Sequence, residues 1–126
     1  MENEKLIKLA KEAKEFSYSP YSKFRVGAAL LCKDGRVYTG CNVENAAYGP
    51  SNCAERTAIF KAVSEGNKEF EKIAIVTDSQ SPEYPCGVCR QVMNEFAPNL
   101  EIIVAGESGE FRVTTLSELL PHAFNL

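Results

Sequence analysis

Apolar residues recur along the chain with periods that change from segment to segment. Leu6, Leu9, Ala10, Ala13 and Phe16 fall at steps of three and four between lysines and glutamates, which predicts an amphipathic helix over residues 4–16. The apolar run at 24–31 has the length of a strand. Asp34 and Gly35 mark a tight turn into a second strand at 36–41, so the two pair as a hairpin. Helical spacing returns at Ala58, Ile59, Ala62 and Val63 in a helix that begins near Asn52 and stops at Gly66. Residues 72–77 are almost continuously apolar, as in a strand covered on both faces. A polar connection at 79–85 leads to a helix from Cys86 that buries Val88, Val92, Met93 and Phe96 before Pro98. Strands at 101–105 and 111–113, joined by a turn at 106–109, and a helical turn at 117–120 complete the chain.

The helix, strand, helix order between Asn52 and Phe96 makes the two helices run the same way. Their N-termini then meet at one edge of the sheet. Cys53 opens the first of them, and Cys86 and Cys89 open the second. Three soft ligands without an obvious fourth suit a catalytic zinc, which keeps a coordination position open, better than a structural zinc closed by four. The only histidine, His122, has no second ligand at metal-binding spacing. Water at such a zinc has its pKa lowered from about 15.7 to roughly 7. Glu55, two residues from Cys53, is the candidate proton carrier; it also completes Asn52-x-x-Glu55, the pattern of a capping box. Three thiolates leave the ion with a surplus negative charge. Two helix N-termini offset part of it, by about 0.3 to 1 kcal/mol each. Arg56 and Arg90 either donate hydrogen bonds to the sulfurs or lie on exposed helix surface. Cys32 and Cys41 read as strand packing. Asn42 and Glu44, in the loop at 42–52, offer donors and acceptors to the hydroxyls of a polar substrate, or are merely solvated.

Length and composition narrow the classes. At 126 residues the chain fits one domain, 1–126, which buries roughly two thirds of its unfolded surface and needs no metal merely to fold. With 44% hydrophobic and 25% charged residues and no repeat, it is ordinary for a globular protein. The first 16 residues contain no apolar stretch fit for a signal peptide or membrane span. Five cysteines, an odd number, argue against a complete disulfide framework and for a reducing, cytoplasmic setting. A net charge of −3 without a basic stripe argues against nucleic acid as the main partner.

With these residues in place, the chain resembles the small, homotetrameric type of cytidine deaminase. The likeness covers nearly the whole chain through four stretches: 21–30, 42–48, Cys53 to Ala58 and Pro85 to Gln91. The last two are very specific together. The resemblance implies an α/β, three-layer α/β/α fold with a mixed five-stranded sheet. It implies one Zn2+ per subunit on Cys53, Cys86 and Cys89, with Glu55 as acid and base, a role that comes from the family and not from spacing. It assigns the ribose hydroxyls to Asn42 and Glu44 and the nucleoside face to Phe24. It gives the pyrimidine edge to Glu55 and the Ala54 N–H. In the implied homotetramer with shared active sites, Phe124 matches the C-terminal aromatic that stacks on the pyrimidine from another subunit, and Tyr48, a further substrate-binding candidate, lies in the intersubunit loop.

The implied reaction is hydrolysis of cytidine and 2'-deoxycytidine to uridine and 2'-deoxyuridine plus ammonia, a step of pyrimidine salvage. Water gives a proton to Glu55, attack at C4 forms a tetrahedral intermediate, and Glu55 delivers protons to N3 and then to the departing amine. The two titrating groups share their pKa values as a pair. Three alternatives stay in view. One is a deaminase of another aminopyrimidine, such as a blasticidin-type antibiotic; the second is a zinc-stabilised interaction module, which lacks its fourth ligand. The third is a dithiol redox protein, which leaves Cys53 and Glu55 unexplained.

Overall fold

The computed structural model describes residues 1–126. Its elements follow in the order α1 (Asn3–Lys14), β1 (Val26–Cys32), β2 (Val37–Cys41), α2 (Ala54–Ser64), β3 (Phe70–Thr77), α3 (Gly87–Phe96), β4 (Glu101–Ala105), β5 (Phe111–Thr115) and α4 (Leu116–Leu119). The strands form one mixed sheet in the order β2-β1-β3-β4-β5, with β3 and β4 parallel and every other pair antiparallel. This is the α/β architecture that the resemblance implies.

Strand alternation sorts the core into two layers. Ala28, Leu30, Ile73, Ile75, Ile102 and Val104 point to one face, where they meet Ala58, Ile59 and Ala62 of α2 and Cys89 and Met93 of α3. Ala29, Leu31, Ala74, Val76, Ile103 and Ala105 point to the other and meet Leu6 and Ala10 of α1. Glycine permits close approach on both faces. A Cβ on Gly27 would lie 2.0 Å from the Ala10 carbonyl oxygen in α1, and one on Gly40 would lie 2.6 Å from that of Ala54 in α2. The hairpin turns at Gly35, whose φ of +92° lies in the left-handed region that glycine enters without strain. No helix is long and apolar enough to cross a membrane.

Three expected placements differ. The first strand starts at Val26, not Phe24, because side chains hold the preceding backbone: the Asn42 Nδ2 donates to the Phe24 carbonyl, and the Arg25 N–H donates to Asp78. α1 ends at Lys14, so Phe16 falls off the amphipathic face and is exposed. In α3 the inward stripe is set by Cys89 and Met93, one turn apart; Val88, about 100° away from Cys89, faces outward.

Lys14 is the largest surprise, since its side chain is only 1% exposed. Its Nζ lies 3.0 Å from Asp78 Oδ1 and also donates to the Glu107 carboxylate, so a buried charge is paired twice. Burial alone would raise the Asp78 pKa. Hydrogen bonds from Arg25 and Lys14 outweigh it and hold the group at about 2, below its ordinary 3.8. A carboxylate with a depressed folded pKa contributes stability that is fully present above its unfolded pKa and is lost as pH falls through the folded one. Thermal melts should therefore show wild-type stability dropping by about 2 kcal/mol between pH 4 and pH 2 through this group, and Asp78→Asn should start lower at pH 7 and lose less over that window.

Candidate active site

The two long helices on the α2 face start with cysteine. Cys53 is the N-cap of α2 and Cys86 the N-cap of α3, both with extended backbone and neither making a side-chain cap bond. The sulfurs thus sit where unpaired helix N–H groups converge and where Ser, Thr or Asp would normally accept them. Cys89 lies one turn into α3, on the same side as Cys86, and is fully buried. The β3 to α3 to β4 crossover lays α3 beside α2. It brings the Cys53 and Cys86 sulfurs to 3.9 Å and all three sulfurs within 4.8 Å of one another. Zinc–sulfur bonds of about 2.3 Å at tetrahedral angles put sulfurs about 3.8 Å apart, so the cluster fits a zinc ion with one position left over. Cys86 is exposed and Cys89 buried, so the cluster spans from the core to the surface.

Charge at the cluster is managed by one arginine. Arg56 Nη2 donates to Cys53 Sγ at 3.3 Å. The Cys53 thiol is pushed down to about 5, first by a hydrogen bond from Cys89, against burial, and then by Arg56. Cys89 is pushed up by that same bond and by its burial. The Arg90 guanidinium does not reach sulfur. Its Nε donates to the Pro85 carbonyl and its Nη1 to the Leu119 carbonyl, both at 2.8 Å. It splints the loop before Cys86 to the end of α4.

Glu55, in the first turn of α2, is 5% exposed. The capping-box alternative is not built, since Cys53 takes the N-cap and the Asn52 amide donates to Thr57 Oγ1 instead. Burial raises the Glu55 carboxyl to about 7; its own backbone N–H opposes the rise, and the Cys53 thiolate adds to it. A carboxyl near 7 both takes and gives protons at neutral pH.

A cavity of about 300 Å³ opens in front of these groups. Phe24, Asn42, Glu44, Cys53, Ala54, Glu55, Arg56 and Cys86 line it together, although they come from four separate stretches of chain. Ser51, Asn52, Thr77, Glu83 and Tyr84 line it as well, and sequence reasoning did not pick them out. The position of Glu83 and Tyr84 just before Pro85 and Cys86 was the available signal. Tyr48 and Phe124 stay outside this cavity and are 80% and 69% exposed. Phe124 is presented outward by a reciprocal pair: its N–H donates to Gln91 Oε1 at 2.8 Å, and Gln91 Nε2 donates to its carbonyl at 3.2 Å. A larger, shallower hollow between α2 and α3, lined by Phe60, Val88 and Phe96, contains no metal ligand.

The geometry makes a prediction about metal. Plasma emission spectrometry should find about one zinc per chain, lost on Cys89→Ala, whereas Arg56→Gln should keep the fold and weaken zinc affinity about 10- to 100-fold in a chelator competition.

The chain matches the model of the cytidine and deoxycytidylate deaminase zinc-binding region over residues 1–106. It is 52% identical to a cytidine deaminase from Sporosarcina psychrophila over 126 residues, 99% of this chain and 93% of that one. It is 53% identical to a cytidine deaminase from Halalkalibacterium halodurans over 125 residues, 98% of this chain and 95% of that one. The crystal structure of cytidine deaminase from Burkholderia pseudomallei superposes with a TM-score of 0.95 at 52% identity, covering 98% of this chain and 100% of that chain. Two helices that begin on zinc-ligand cysteines, in a chain matched almost end to end by these enzymes, make this protein a member of the zinc-dependent cytidine deaminase family.

Proposed function

We propose that the protein hydrolyses cytidine and 2'-deoxycytidine to uridine and 2'-deoxyuridine, releasing ammonia, and so serves pyrimidine salvage. The observation that carries this reading is a buried Glu55 carboxyl set beside three clustered cysteines at a small-molecule cavity. Cys53, Cys86 and Cys89 would hold one zinc ion. When bound, zinc supplies the Lewis acidity that makes water nucleophilic at neutral pH. Glu55 accepts the proton of the attacking water and passes it to N3 as the new bond forms at C4. It then carries a second proton to the amino nitrogen, so that ammonia and not amide leaves. The Ala54 N–H, in the first turn of α2 and without an intrahelical acceptor, faces the pyrimidine edge.

The sugar contacts are partly committed in advance. Asn42 Oδ1 already accepts from the Val26 N–H and Ser17 Oγ, and its Nδ2 donates to the Phe24 carbonyl, leaving one N–H for a hydroxyl. Glu44 accepts from the Tyr21 and Ser22 N–H groups and from Ser22 Oγ, leaving one of about four acceptor positions. One donor beside one acceptor, fixed by the backbone they brace, suits the adjacent hydroxyls of a ribose. Phe24 supplies the apolar wall for the base.

The outward placement of Tyr48 and Phe124 favours a homotetramer in which each enters a neighbour's site, with residues 1–126 as one domain per subunit. Five free cysteines suit the reducing cytoplasm. The absorbance of cytosine should fall when zinc-loaded protein meets cytidine or 2'-deoxycytidine and should hold steady with free cytosine. Turnover of a blasticidin-type antibiotic but neither nucleoside would replace this substrate by the other aminopyrimidine. Glu55→Gln should keep zinc and lose about 10²- to 10⁴-fold in kcat; full turnover by the zinc-loaded variant would refute the proton path.

A further inference from the structure

We propose that Asp78 is a positioning residue for the nucleoside: it fixes the backbone behind Phe24 and so sets how tightly the pocket wall grips its ligand. The inference rests on the nucleoside reading of the cavity. Phe24 and Val26 line that wall; Phe24 and Arg25 precede β1, outside its ladder, and Val26 opens it. They follow Lys23, whose φ of +61° is unusual for a residue other than glycine, so the segment needs holding from outside.

It is held from two sides at alternate residues. Asn42 takes residues 24 and 26: its Nδ2 donates to the Phe24 carbonyl and its Oδ1 accepts from the Val26 N–H, both at 2.9 Å. Asp78 takes residue 25. Its Oδ2 accepts from the Arg25 N–H at 2.8 Å and from Arg25 Nε at 3.1 Å, its Oδ1 accepts from Nη2 at 3.1 Å, and its own N–H donates to the Arg25 carbonyl at 3.2 Å. This fork-to-fork pairing is geometrically demanding as well as strong. Asp78 cannot drift, because Oδ1 also meets the buried Lys14 ammonium, itself bound to Glu107. It follows Thr77, which lines the same cavity from the end of β3. A charge buried under α1 therefore anchors a wall of the pocket, while α2 and its Glu55 stay outside the chain of contacts.

Loss of this anchor should act on binding and not on chemistry. With zinc-loaded full-length protein, Asp78→Ala should raise KM for cytidine and the calorimetric Kd for uridine about tenfold, with kcat within about threefold and zinc content unchanged. Asp78→Asn, which keeps one oxygen for the Arg25 N–H, should fall between the two and decides the matter alone if Asp78→Ala does not fold. Glu107→Gln loosens the α1 side of the same cluster; it should lower Tm and leave KM within about twofold. An Asp78 variant with lowered Tm but wild-type KM and Kd, or with kcat lowered at unchanged KM, would overturn the proposal and leave Asp78 a stability residue. Wild-type protein that turned over neither nucleoside would instead overturn the substrate reading.

Discussion

Everything at this site depends on holding three sulfurs and a carboxyl close together without letting their negative charges repel one another apart. Three thiolates around a divalent zinc leave a net charge of −1, and Glu55 adds another when ionised. The chain answers with two helix N-termini and a single arginine, Arg56, on Cys53 Sγ. Arg90, the second arginine beside a ligand, is spent on the carbonyls of Pro85 and Leu119. The compensation is thus incomplete by design of the contacts. Burial then makes a neutral Glu55 nearly as stable as an ionised one, and a carboxyl able to change state at neutral pH follows.

The sheet supplies the placement that this requires. Because β3 and β4 are parallel, the connection between them must cross over, and α3 is that crossover. Its start is carried back to the edge where α2 also starts. Gly40 lets α2 lie against β2 with Ala54 close to the strand, so the Cys53 end of α2 is set by backbone contact and not by a flexible side chain. The ligands consequently sit at the starts of helices packed on the sheet, whereas the sugar-binding candidates sit on a loop braced by their own side-chain bonds. Asn42 and Glu44 brace the backbone with most of their hydrogen-bonding capacity and keep only a remainder for a ligand.

Periodicity made the elements and the sulfur cluster legible, since alternation, helical spacing and the helix, strand, helix order each follow from chain geometry. What it missed has a common cause. Lys14 looks like one more charged position on an amphipathic helix, yet it is buried because Asp78 and Glu107, 64 and 93 residues away, happen to meet it. The place of Arg90 beside Cys89 leaves sulfur and exposed helix surface equally open, whereas its acceptors are the carbonyls of Pro85 and Leu119. Val88 is apolar and faces outward because Cys89 dictates the rotation of α3. Glu83 and Tyr84 reach the cavity only through the path of a loop, whose course no local pattern encodes. Polar partners chosen across long sequence separations are invisible to reading by windows, however long.

X-ray absorption at the zinc edge of the purified protein tests the central claim most directly. The account predicts three sulfur neighbours at about 2.3 Å and one lighter oxygen or nitrogen neighbour at about 2.0 Å, the signature of a three-cysteine site with an open position. Four sulfur neighbours would mean a closed, structural zinc, and the hydrolytic reading of Cys53, Glu55, Cys86 and Cys89 would fail with it.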